Sequence, residues 1–320
     1  DLVNELWDIQ TTLNGIIPYC HPGTRIVINF SSHLWRIPID LAQRLGIAKP
    51  TLLQNWITIE DIKNFLTLES FELLENWPEL VVPLNLPGAN LFNRIFAKIV
   101  PFRFFAMTNF VVARPLIKRA DSMPTCSLVI AARNEEGNIK KLFERMFDMD
   151  FITEIIFIEG NSWDDTYLAI EQSISAHPSL NCRLLKQTGE GKGDAIRKGF
   201  NDANGDILMI LDADMTVRPE DLKRFYEAIA YQKGDFINGV RLVYPQENEA
   251  MKFFNLIGNK FFAFAFSWLL GQPIRDTLCG TKVLWREDYK VIAANRSYFG
   301  NFDPFGDFDL LFGAAKLKLK

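Results

Sequence analysis

The sequence predicts an α/β protein with a largely parallel sheet, preceded by an incomplete second α/β domain. The first observation is the stretch 206–216, where five apolar residues follow a turn signal and end at Asp212 and Asp214. A short uninterrupted apolar run is typical of a strand buried on both faces. The second observation is that similar runs alternate with helix-like segments from residue 126 onward, which favours parallel strands with right-handed crossovers.

Composition excludes several classes of protein. The chain has 320 residues, 48% of them hydrophobic, and a net charge of −4, so it has core material for about two domains and lacks the basic excess of a general nucleic-acid binder. Its four cysteines form no C-x-x-C pair and its three histidines do not cluster, which indicates reduced thiols in a cytosolic protein and no zinc framework. The longest apolar stretch, 261–270, is about half the length of a membrane span.

The N-terminal third contains several recognisable elements. Its patterns predict helices near 2–13 and 61–68 and strands at 24–30, 71–77 and 110–115. The Pro- and Phe-rich segment 82–105 favours a packed loop and helix, with a membrane-facing or substrate-covering insertion as the alternative.

Five segments of this part occur in a familiar order. They are D-L-V-N-E-L-W-D, T-R-I-V-I-N-F-S-S-H-L-W, N-W-I-T-I-E-D-I, F-E-L-L-E and V-V-A-R-P. Residues 1–118 thereby resemble the C-terminal part of a class I S-adenosylmethionine-dependent methyltransferase. Such enzymes bind their cofactor at a Gly-rich turn after the first strand, and Gly15, Gly23 and Gly46 are isolated here. We therefore expect no S-adenosylmethionine binding, and we expect both ends of the chain to be cut from a longer polypeptide.

A polar segment with two prolines, Arg114–Pro124, is the best domain boundary. We assign 119–124 to a linker and 125–320 to the second domain. There the pattern predicts strands at 126–132, 154–159, 182–186 and 207–211, with helices at 136–148, from 164 and at 194–200. The chain end, A-A-K-L-K-L-K, looks like a helix passing into a strand.

Polar residues follow the predicted strands where each one ends. They are Arg133, Asn134 and Glu135, then Glu159, Asn161 and Ser162, and finally Asp212 and Asp214. Because the carboxyl ends of parallel strands share one edge of a sheet, these residues predict a ligand site. The alternative for the two aspartates is a turn that caps the next helix.

The glycine-rich loop 189–193 adds Lys192 to the polar residues at this edge. It lacks the G-x-x-x-x-G-K-[ST] phosphate-binding pattern, and no G-x-G-x-x-G follows the first strand. A nucleoside triphosphatase and a dinucleotide enzyme are therefore disfavoured. A mere tight turn also explains such a loop.

A set of ordered motifs identifies the second domain more closely. They are A-A-R-N-E-E, F-I-E-G-N-S-W-D-D-T, G-K-G-D-A, L-D-A-D, F-I-N-G-V-R and D-T-L-C-G-T-K-V-L-W-R. Over nearly all of 124–320 the chain resembles a glycosyltransferase family 2 enzyme with the GT-A fold, in the dolichol-phosphate mannosyltransferase-like, polyprenyl-phosphate branch.

The resemblance implies a UDP- or GDP-sugar donor and a Mg²⁺ or Mn²⁺ ion held by Asp212 and Asp214. The residues it implies for nucleotide-sugar binding are Ala132, Arg133, Asn134, Glu135, Glu159, Asn161, Ser162, Lys192, Gly193, Asp212 and Ala213. Two positions depart from the pattern. Glu159-Gly160 replaces a pair of aspartates, which affects base preference. Thr216 stands where a Gln is frequent, which affects metal coordination.

A polyprenyl-phosphate acceptor is already an anion, so it needs cations more than a base. Arg241 is the leading candidate, followed by Arg275, Lys282 and Arg286, although each could be a solvated surface charge. Asp276 is the candidate base if one is required, and Asp307 could also face the site. The Phe-rich segment 251–270 predicts either an interfacial helix or a core helix.

Together these features predict a metal-dependent, inverting glycosyltransferase, peripheral at the inner face of the membrane. The first alternative is the same donor chemistry with a glycan hydroxyl as acceptor. The second is a non-catalytic nucleotide-binding or scaffold module. The third, a sugar nucleotidyltransferase, would need a Gly-rich, Arg-containing first loop that the sequence lacks.

Overall fold

A computed structural model describes residues 2–49, 55–83, 87–97, 99, 101–117, 119, 122–146, 149–240, 261–267, 274–276, 279–298 and 308–320. The chain divides into two compact units, Asp1–Arg119 and Ala120–Lys320, and each is described by itself.

In its described residues, the first unit combines five helices with three strands. In chain order they are α1 (Leu2–Glu5), α2 (Ile9–Ile16), β1 (Ile26–Ser31), α3 (Arg36–Arg44), α4 (Ile59–Leu68), β2 (Phe71–Glu79), α5 (Ala89–Phe96) and β3 (Thr108–Pro115). Short 3₁₀ turns occupy Ile17–Tyr19, His33–Trp35 and Phe102–Phe105. The three predicted strands are present. Helix α4 begins two residues earlier than predicted, because Thr58 and Asp61 form a capping box.

The sheet of the first unit has the order β1–β3–β2, with β3 antiparallel to both neighbours. Its buried side chains pack with α2 and α4, and Phe30, Ile62, Leu66 and Phe71 are almost wholly buried. Burial of side chains of this size stabilises a fold by about 1.5–3 kcal/mol each. Helix α3 contributes no buried residue to this core.

The second unit alternates strands and helices as predicted. Its elements are β4 (Cys126–Ala132), α6 (Glu136–Arg145), β5 (Glu154–Glu159), α7 (Thr166–Ala176), β6 (Cys182–Lys186), α8 (Gly191–Asp202), β7 (Ile207–Asp212), α9 (Leu222–Ala230), β8 (Phe236–Asn238), α10 (described over 261–267), β9 (Lys282–Trp285), α11 (Arg286–Ala294) and α12 (Phe308–Lys316). Short 3₁₀ turns occupy Pro219–Asp221 and Arg296–Tyr298.

The six-stranded sheet has the order β6–β5–β4–β7–β9–β8. Strands β6, β5, β4 and β7 are parallel, while β9 runs antiparallel between β7 and β8. This confirms the predicted α/β class with a mostly parallel sheet and flanking helices. The register pairs Ala132 with Glu159 and Ala131 with Asp212, so the strand ends lie along one edge.

Both faces of this sheet are covered. Helices α6, α7 and α9 pack on one face, and α8, α11 and α12 pack on the other. The apolar part of β7 is completely buried, as its uninterrupted sequence predicts. The site therefore stands on rigid strands.

At the opposite edge of the sheet, Glu154 connects neighbouring segments of the chain. Its carboxylate accepts hydrogen bonds from the Ser127 hydroxyl at 2.6 Å and the Asn204 N–H at 2.5 Å, and it pairs with Arg183 at 2.9 Å. Burial alone would raise the pKa of Glu154, but these hydrogen bonds and the nearby guanidinium outweigh it and leave the pKa below its ordinary value.

Three other expectations have mixed outcomes. Helix α8 begins at Gly191, three residues earlier than predicted, so Lys192 lies in its first turn. The final residues turn instead of forming a strand within the described chain, because Lys318 adopts a positive φ of 53° and the Lys320 carbonyl accepts from the Asp235 and Phe236 N–H groups. Of the predicted helix 251–270, only 261–267 is described, and it is helical.

Among the described residues, the helices are all too short or too polar to cross a membrane.

Candidate active site

Asp212 ends β7, and Asp214 follows it in a tight turn. The Asp214 Oδ1 atom accepts from the Thr216 N–H at 2.8 Å, and Met215, with φ of 56°, donates its N–H to the Asp212 carbonyl at 3.0 Å. The alternative of a turn that caps the next helix is correct only for the turn, because Arg218 and Asp221 stand at the N-caps of the helical segments that follow. Asp214 is exposed, and in the described chain only its Oδ1 atom has a protein hydrogen-bond partner.

Lys192 contacts one of these two carboxylates, that of Asp212. Its ammonium forms an ion pair with Oδ1 of Asp212 across α8 and β7. Gly280 lies beside the pair, since a Cβ placed on it would stand 2.6 Å from the same oxygen and closer still to Oδ2 and to Nζ of Lys192. The absence of a side chain at 280 is therefore what lets the segment before β9 approach Asp212 and Lys192.

The loops that follow β4 and β5 hold each other by hydrogen bonds. The Asn134 N–H donates to the Ser162 hydroxyl at 3.0 Å, and the Trp163 N–H donates to Asn134 Oδ1 at 3.1 Å. The Glu135 N–H donates to the Thr166 hydroxyl at 2.8 Å. Asn134 and Ser162 thus connect the two loops. Their position after predicted strands did not reveal this positioning function.

Asp164 extends this connection to the start of α7. Its carboxylate accepts from the Thr166 hydroxyl at 2.5 Å and from the Thr166 N–H at 3.1 Å, and these bonds lower its pKa. The motif D-D-T in the sequence could have indicated these hydrogen bonds at the helix start, because Asp and Thr are preferred capping residues.

A cavity of about 270 Å³ opens between these loops and α8. Seven predicted donor-site residues line it: Ala132, Arg133, Glu135, Lys192, Asp212, Ala213 and Asp214. Asn134, Glu159, Asn161, Ser162 and Gly193 are not among its walls. Glu159 is buried and accepts from the Ser162 N–H at 2.5 Å, while Asn161 has a positive φ of 56°.

Gln187 is a wall residue that the sequence analysis missed. It follows β6 directly, lines the cavity, and donates from Nε2 to the Gly191 carbonyl at 2.7 Å, which fixes the start of α8. The rule that polar residues follow strand ends would have found it, because Gln187 is the polar residue after C-R-L-L-K. Gly160 also lines the cavity, where a Cβ would stand 3.1 Å from Arg133 and from Gln187.

The predicted acceptor residues do not all lie at this edge. Arg241 and Asp307 lie outside the described residues. Arg275 is exposed, whereas Lys282 is only 1% exposed and donates to the Cys279 carbonyl at 2.6 Å. Arg286 follows β9 beside the start of β7, and its N–H donates to the Asp206 carbonyl at 2.8 Å. Because β9 runs antiparallel to β7, Arg286 lies at the edge away from Asp212, so we correct that assignment.

Asp276 is completely buried, and its backbone carbonyl accepts from Asn238 Nδ2 at 2.6 Å. In the described part of the chain, no three Asp, Glu, His or Cys side chains form a group that could hold a metal ion on their own. Asp212 and Asp214 therefore offer a partial oxygen ligand set that a ligand would have to complete.

The parallel strands thus bring acidic, basic and glycine residues together around one cavity at the carboxyl edge of the sheet. The model of the family described as "Glycosyl transferase family 2" matches residues 127–292, more than half of the chain. The chain belongs to glycosyltransferase family 2. Family membership with the observed sheet confirms the GT-A fold class.

Several curated proteins are similar to part of the chain. A dolichol-phosphate mannosyltransferase of Saccharomyces cerevisiae is 34% identical over 109 residues, covering 32% of this chain and 40% of that protein. An undecaprenyl-phosphate 4-deoxy-4-formamido-L-arabinose transferase of Sodalis glossinidius is 30% identical over 119 residues, covering 36% of each. The chain thus spans less than two thirds of the length of these relatives.

Solved structures give a weaker similarity. The mannosyltransferase PcManGT of Pyrobaculum calidifontis, in complex with GDP-Man and Mn²⁺, has a TM-score of 0.42 and 19% identity, covering 62% of this chain and 52% of its own. Glucosyl-3-phosphoglycerate synthase of Mycobacterium tuberculosis, with Mn²⁺ and UDP, has a TM-score of 0.41 and 20% identity, covering 52% and 58%.

Proposed function

We propose that this protein transfers a sugar, with inversion, from a nucleotide-sugar donor to a polyprenyl-phosphate acceptor at a membrane surface, assisted by a divalent metal ion. The observation that carries the proposal is the cavity at the carboxyl edge of the sheet, where Asp212, Asp214, Lys192 and Arg133 meet. It combines carboxylates for a metal with cations for a diphosphate, the two requirements of this chemistry.

Asp212 and Asp214 are the residues that would hold Mg²⁺ or Mn²⁺. Carboxylate oxygens suit both ions, and Mg²⁺ at phosphate sites usually binds one or two carboxylates, the substrate phosphates and water. A pair of aspartates without a third acidic ligand fits that pattern. When bound, such an ion stabilises the negative charge that develops on the leaving diphosphate.

Lys192 and Arg133 supply further positive charge at the same cavity. Lys192 starts from an ion pair with Asp212, so it is already oriented toward the position of the metal and phosphates. Residues of the β4 and β5 loops, held together through Asn134 and Ser162, would orient the nucleoside. No enzyme nucleophile is required, because a phosphate acceptor can displace the diphosphate in line, which inverts the anomeric carbon.

The acceptor assignment is supported by the relatives and by the burial of Asp276, the candidate base. The relatives carry the names of dolichol-phosphate and undecaprenyl-phosphate transferases. Asp276, the base that a glycan hydroxyl acceptor would require, is completely buried. A phosphate anion needs cations instead, and Arg241 and Arg275 remain the proposed ones.

For residues 1–118 we retain the proposal of a methyltransferase-like part that does not bind S-adenosylmethionine. Strands β1, β2 and β3 and helix α4 lie close to the positions predicted for this part. Micromolar binding of S-adenosylmethionine in titration calorimetry would contradict the second half of this proposal.

Donor use is tested by a thermal-shift panel of UDP- and GDP-sugars with Mn²⁺ or Mg²⁺, followed by release of the nucleoside diphosphate. Asp212→Asn and Asp214→Asn should each lower metal-dependent turnover at least 100-fold, since each removes a ligand charge. Asp206→Asn, at the other end of β7, is the matched control and should retain the rate. Full activity of both site variants would refute the metal assignment.

A further inference from the structure

Helix α3 of the first unit and its C-cap residue expose an apolar stripe, and the helix has no buried residue. Ile37, Leu41 and Leu45 recur every four residues and are 78%, 56% and 63% exposed. This spacing places them on one side of the helix. An isolated exposed leucine needs no explanation, but a continuous stripe on a helix without a buried residue does.

The stripe continues into two neighbouring segments. The Trp35 indole N–H donates to the Phe105 carbonyl at 2.9 Å, and Leu34 and Phe104 line the same cavity. These contacts join the start of α3 to the turn 102–105, in which Phe104 and Phe105 are both largely exposed. The stripe and the turn therefore form one surface.

Helix α5 is attached to the same turn through stacked rings. Phe96 and Phe102 lie 5.0 Å apart in an edge-to-face arrangement, and Phe92 stacks on Phe96 at 4.3 Å. Leu91 and Ile95 of α5 remain exposed. We call the region formed by 34–49, 87–97 and 101–105 the amphipathic surface.

The charge of these segments differs from that of the rest of the chain. The chain as a whole has a net charge of −4. Among the described residues of the amphipathic surface, Asp40 is the one acidic residue, and the basic residues Arg36, Arg44, Lys49 and Arg94 outnumber it. A basic, Phe- and Leu-rich face on an acidic protein is complementary to one common partner, an anionic lipid surface.

We infer that the amphipathic surface docks the protein onto membranes rich in anionic lipids, with α3 and α5 lying in the plane of the interface. Ile37, Leu41, Phe104 and Phe105 enter the boundary between headgroups and acyl chains. Arg36, Arg44 and Arg94 remain with the lipid phosphates, since arginine and lysine stems bury their methylenes while the charged end stays hydrated.

This interaction does not depend on the proposed glycosyl transfer. It assigns the membrane contact to the first unit, and it needs neither donor nor metal. The two can therefore fail separately, since a protein that binds vesicles without turning over a nucleotide sugar would refute only the proposed function.

The test is flotation of the full chain with vesicles of phosphatidylcholine alone and of equal parts phosphatidylcholine and phosphatidylglycerol. We expect the chain to float with the anionic vesicles and much less with the neutral ones. Ile37→Asp with Leu41→Asp should reduce the bound fraction at least tenfold, because each places a charge where an apolar side chain enters the interface. Arg44→Gln should weaken binding about fivefold, the effect of one basic residue near an anionic surface.

Leu68→Asp is the matched control, since Leu68 is an equally exposed leucine at the end of α4 and lies outside the amphipathic surface. Its flotation should equal that of the unmodified chain. Circular dichroism and thermal unfolding verify that all variants fold. The inference is overturned if the unmodified chain does not float, or if the double variant floats as well as Leu68→Asp. It is also overturned if the double variant instead breaks a dimer seen by light scattering, which would make a second copy the occupant.

Discussion

Gly280→Ala tests whether the Lys192–Asp212 pair positions the donor. A Cβ at 280 would stand 2.6 Å from Oδ1 of Asp212, and nearer to Oδ2 and to the Lys192 ammonium. The backbone of Gly280 does not have a left-handed φ, so alanine meets no backbone strain. The added methyl group must therefore displace the two charged side chains.

The cost should fall on activity more than on stability. Both charged groups are the ends of side chains, 34% and 25% exposed, and they can rotate into solvent. Overpacking against movable groups lies at the low end of about 1–3 kcal/mol. A displaced ammonium, in contrast, no longer meets the donor phosphates, and a loss of about 1.4–2.8 kcal/mol of transition-state stabilisation corresponds to 10- to 100-fold in kcat/KM.

Gly205→Ala is the matched control. Its Cβ would stand 2.6 Å from the Ser127 backbone nitrogen and 2.9 Å from the Cys126 carbonyl carbon, at the edge of the sheet away from the site. Backbone atoms of a central strand cannot rotate away, so we expect a larger fall in Tm with little change in kcat/KM. The assay is nucleoside diphosphate release from the preferred nucleotide sugar across a Mn²⁺ titration, paired with thermal unfolding.

The expected pattern is thus opposite for the two variants. Gly280→Ala should lower Tm only slightly, lose rate, and need more Mn²⁺ for half-maximal turnover. Gly205→Ala should lose Tm and retain rate. If Gly280→Ala shows wild-type kcat/KM and wild-type metal dependence, the contact between residue 280 and the charged pair has no function in positioning.

Three further predictions concern other parts of the second unit. Because folding lowers the pKa of Glu154, its carboxylate stabilises the fold fully above the ordinary carboxyl pKa of 4.5, and this stabilisation is lost as the pH falls through the lowered folded-state pKa. Glu154→Gln should therefore reduce the free energy of unfolding by about 1–3 kcal/mol at pH 7. In urea unfolding measured over a series of pH values, the variant should also lose less stability than the unmodified chain as the pH is lowered. Thr166→Ala removes the buried hydroxyl that accepts from the Glu135 N–H and donates to Asp164, so the donor KM should rise several-fold and stability should fall by about 1–3 kcal/mol. Arg286→Ala, at the far edge, should leave the acceptor KM unchanged, whereas Arg241→Ala should raise it at least tenfold; equal effects would contradict the proposed acceptor site.

The strands of the second unit were predictable because their signal is local. The bounds of β4, β5 and β6 equal the predicted ones, and β7 extends one residue beyond its prediction. Buried parallel strands need continuous apolar runs, and the turns between them need polar, Gly and Asp residues. The position of the site was also predictable from the alternation of strands and helices, because parallel strands have their carboxyl ends at one edge of the sheet.

The start of α8 was not predictable to the residue. Gly191 and Gly193 favour a loop by propensity, yet Gln187 holds the Gly191 carbonyl and the helix begins there. That contact comes from the end of β6, which the local sequence around the helix does not contain. Tertiary contacts overrode a weak local preference.

The function of individual polar residues was also decided by long-range contacts. Asn134 and Ser162 were equal candidates with Arg133 for the donor, and the structure makes them the connection between two loops. Lys282 and Arg286 were equal candidates for the acceptor, and the antiparallel course of β9 buries one and carries the other to the opposite edge.

By itself, the sequence determined the α/β class, the strand ends and the stretch with Asp212 and Asp214, because apolar runs and turn residues are patterns of residues adjacent in the chain. Only the tertiary structure decided that Lys192 pairs with Asp212, that Gly280 gives them room, and that α3 exposes its apolar stripe. The physical reason is the same in each case. Pairing, close approach and exposure depend on residues far apart in the chain, and strand register and helix packing set those distances.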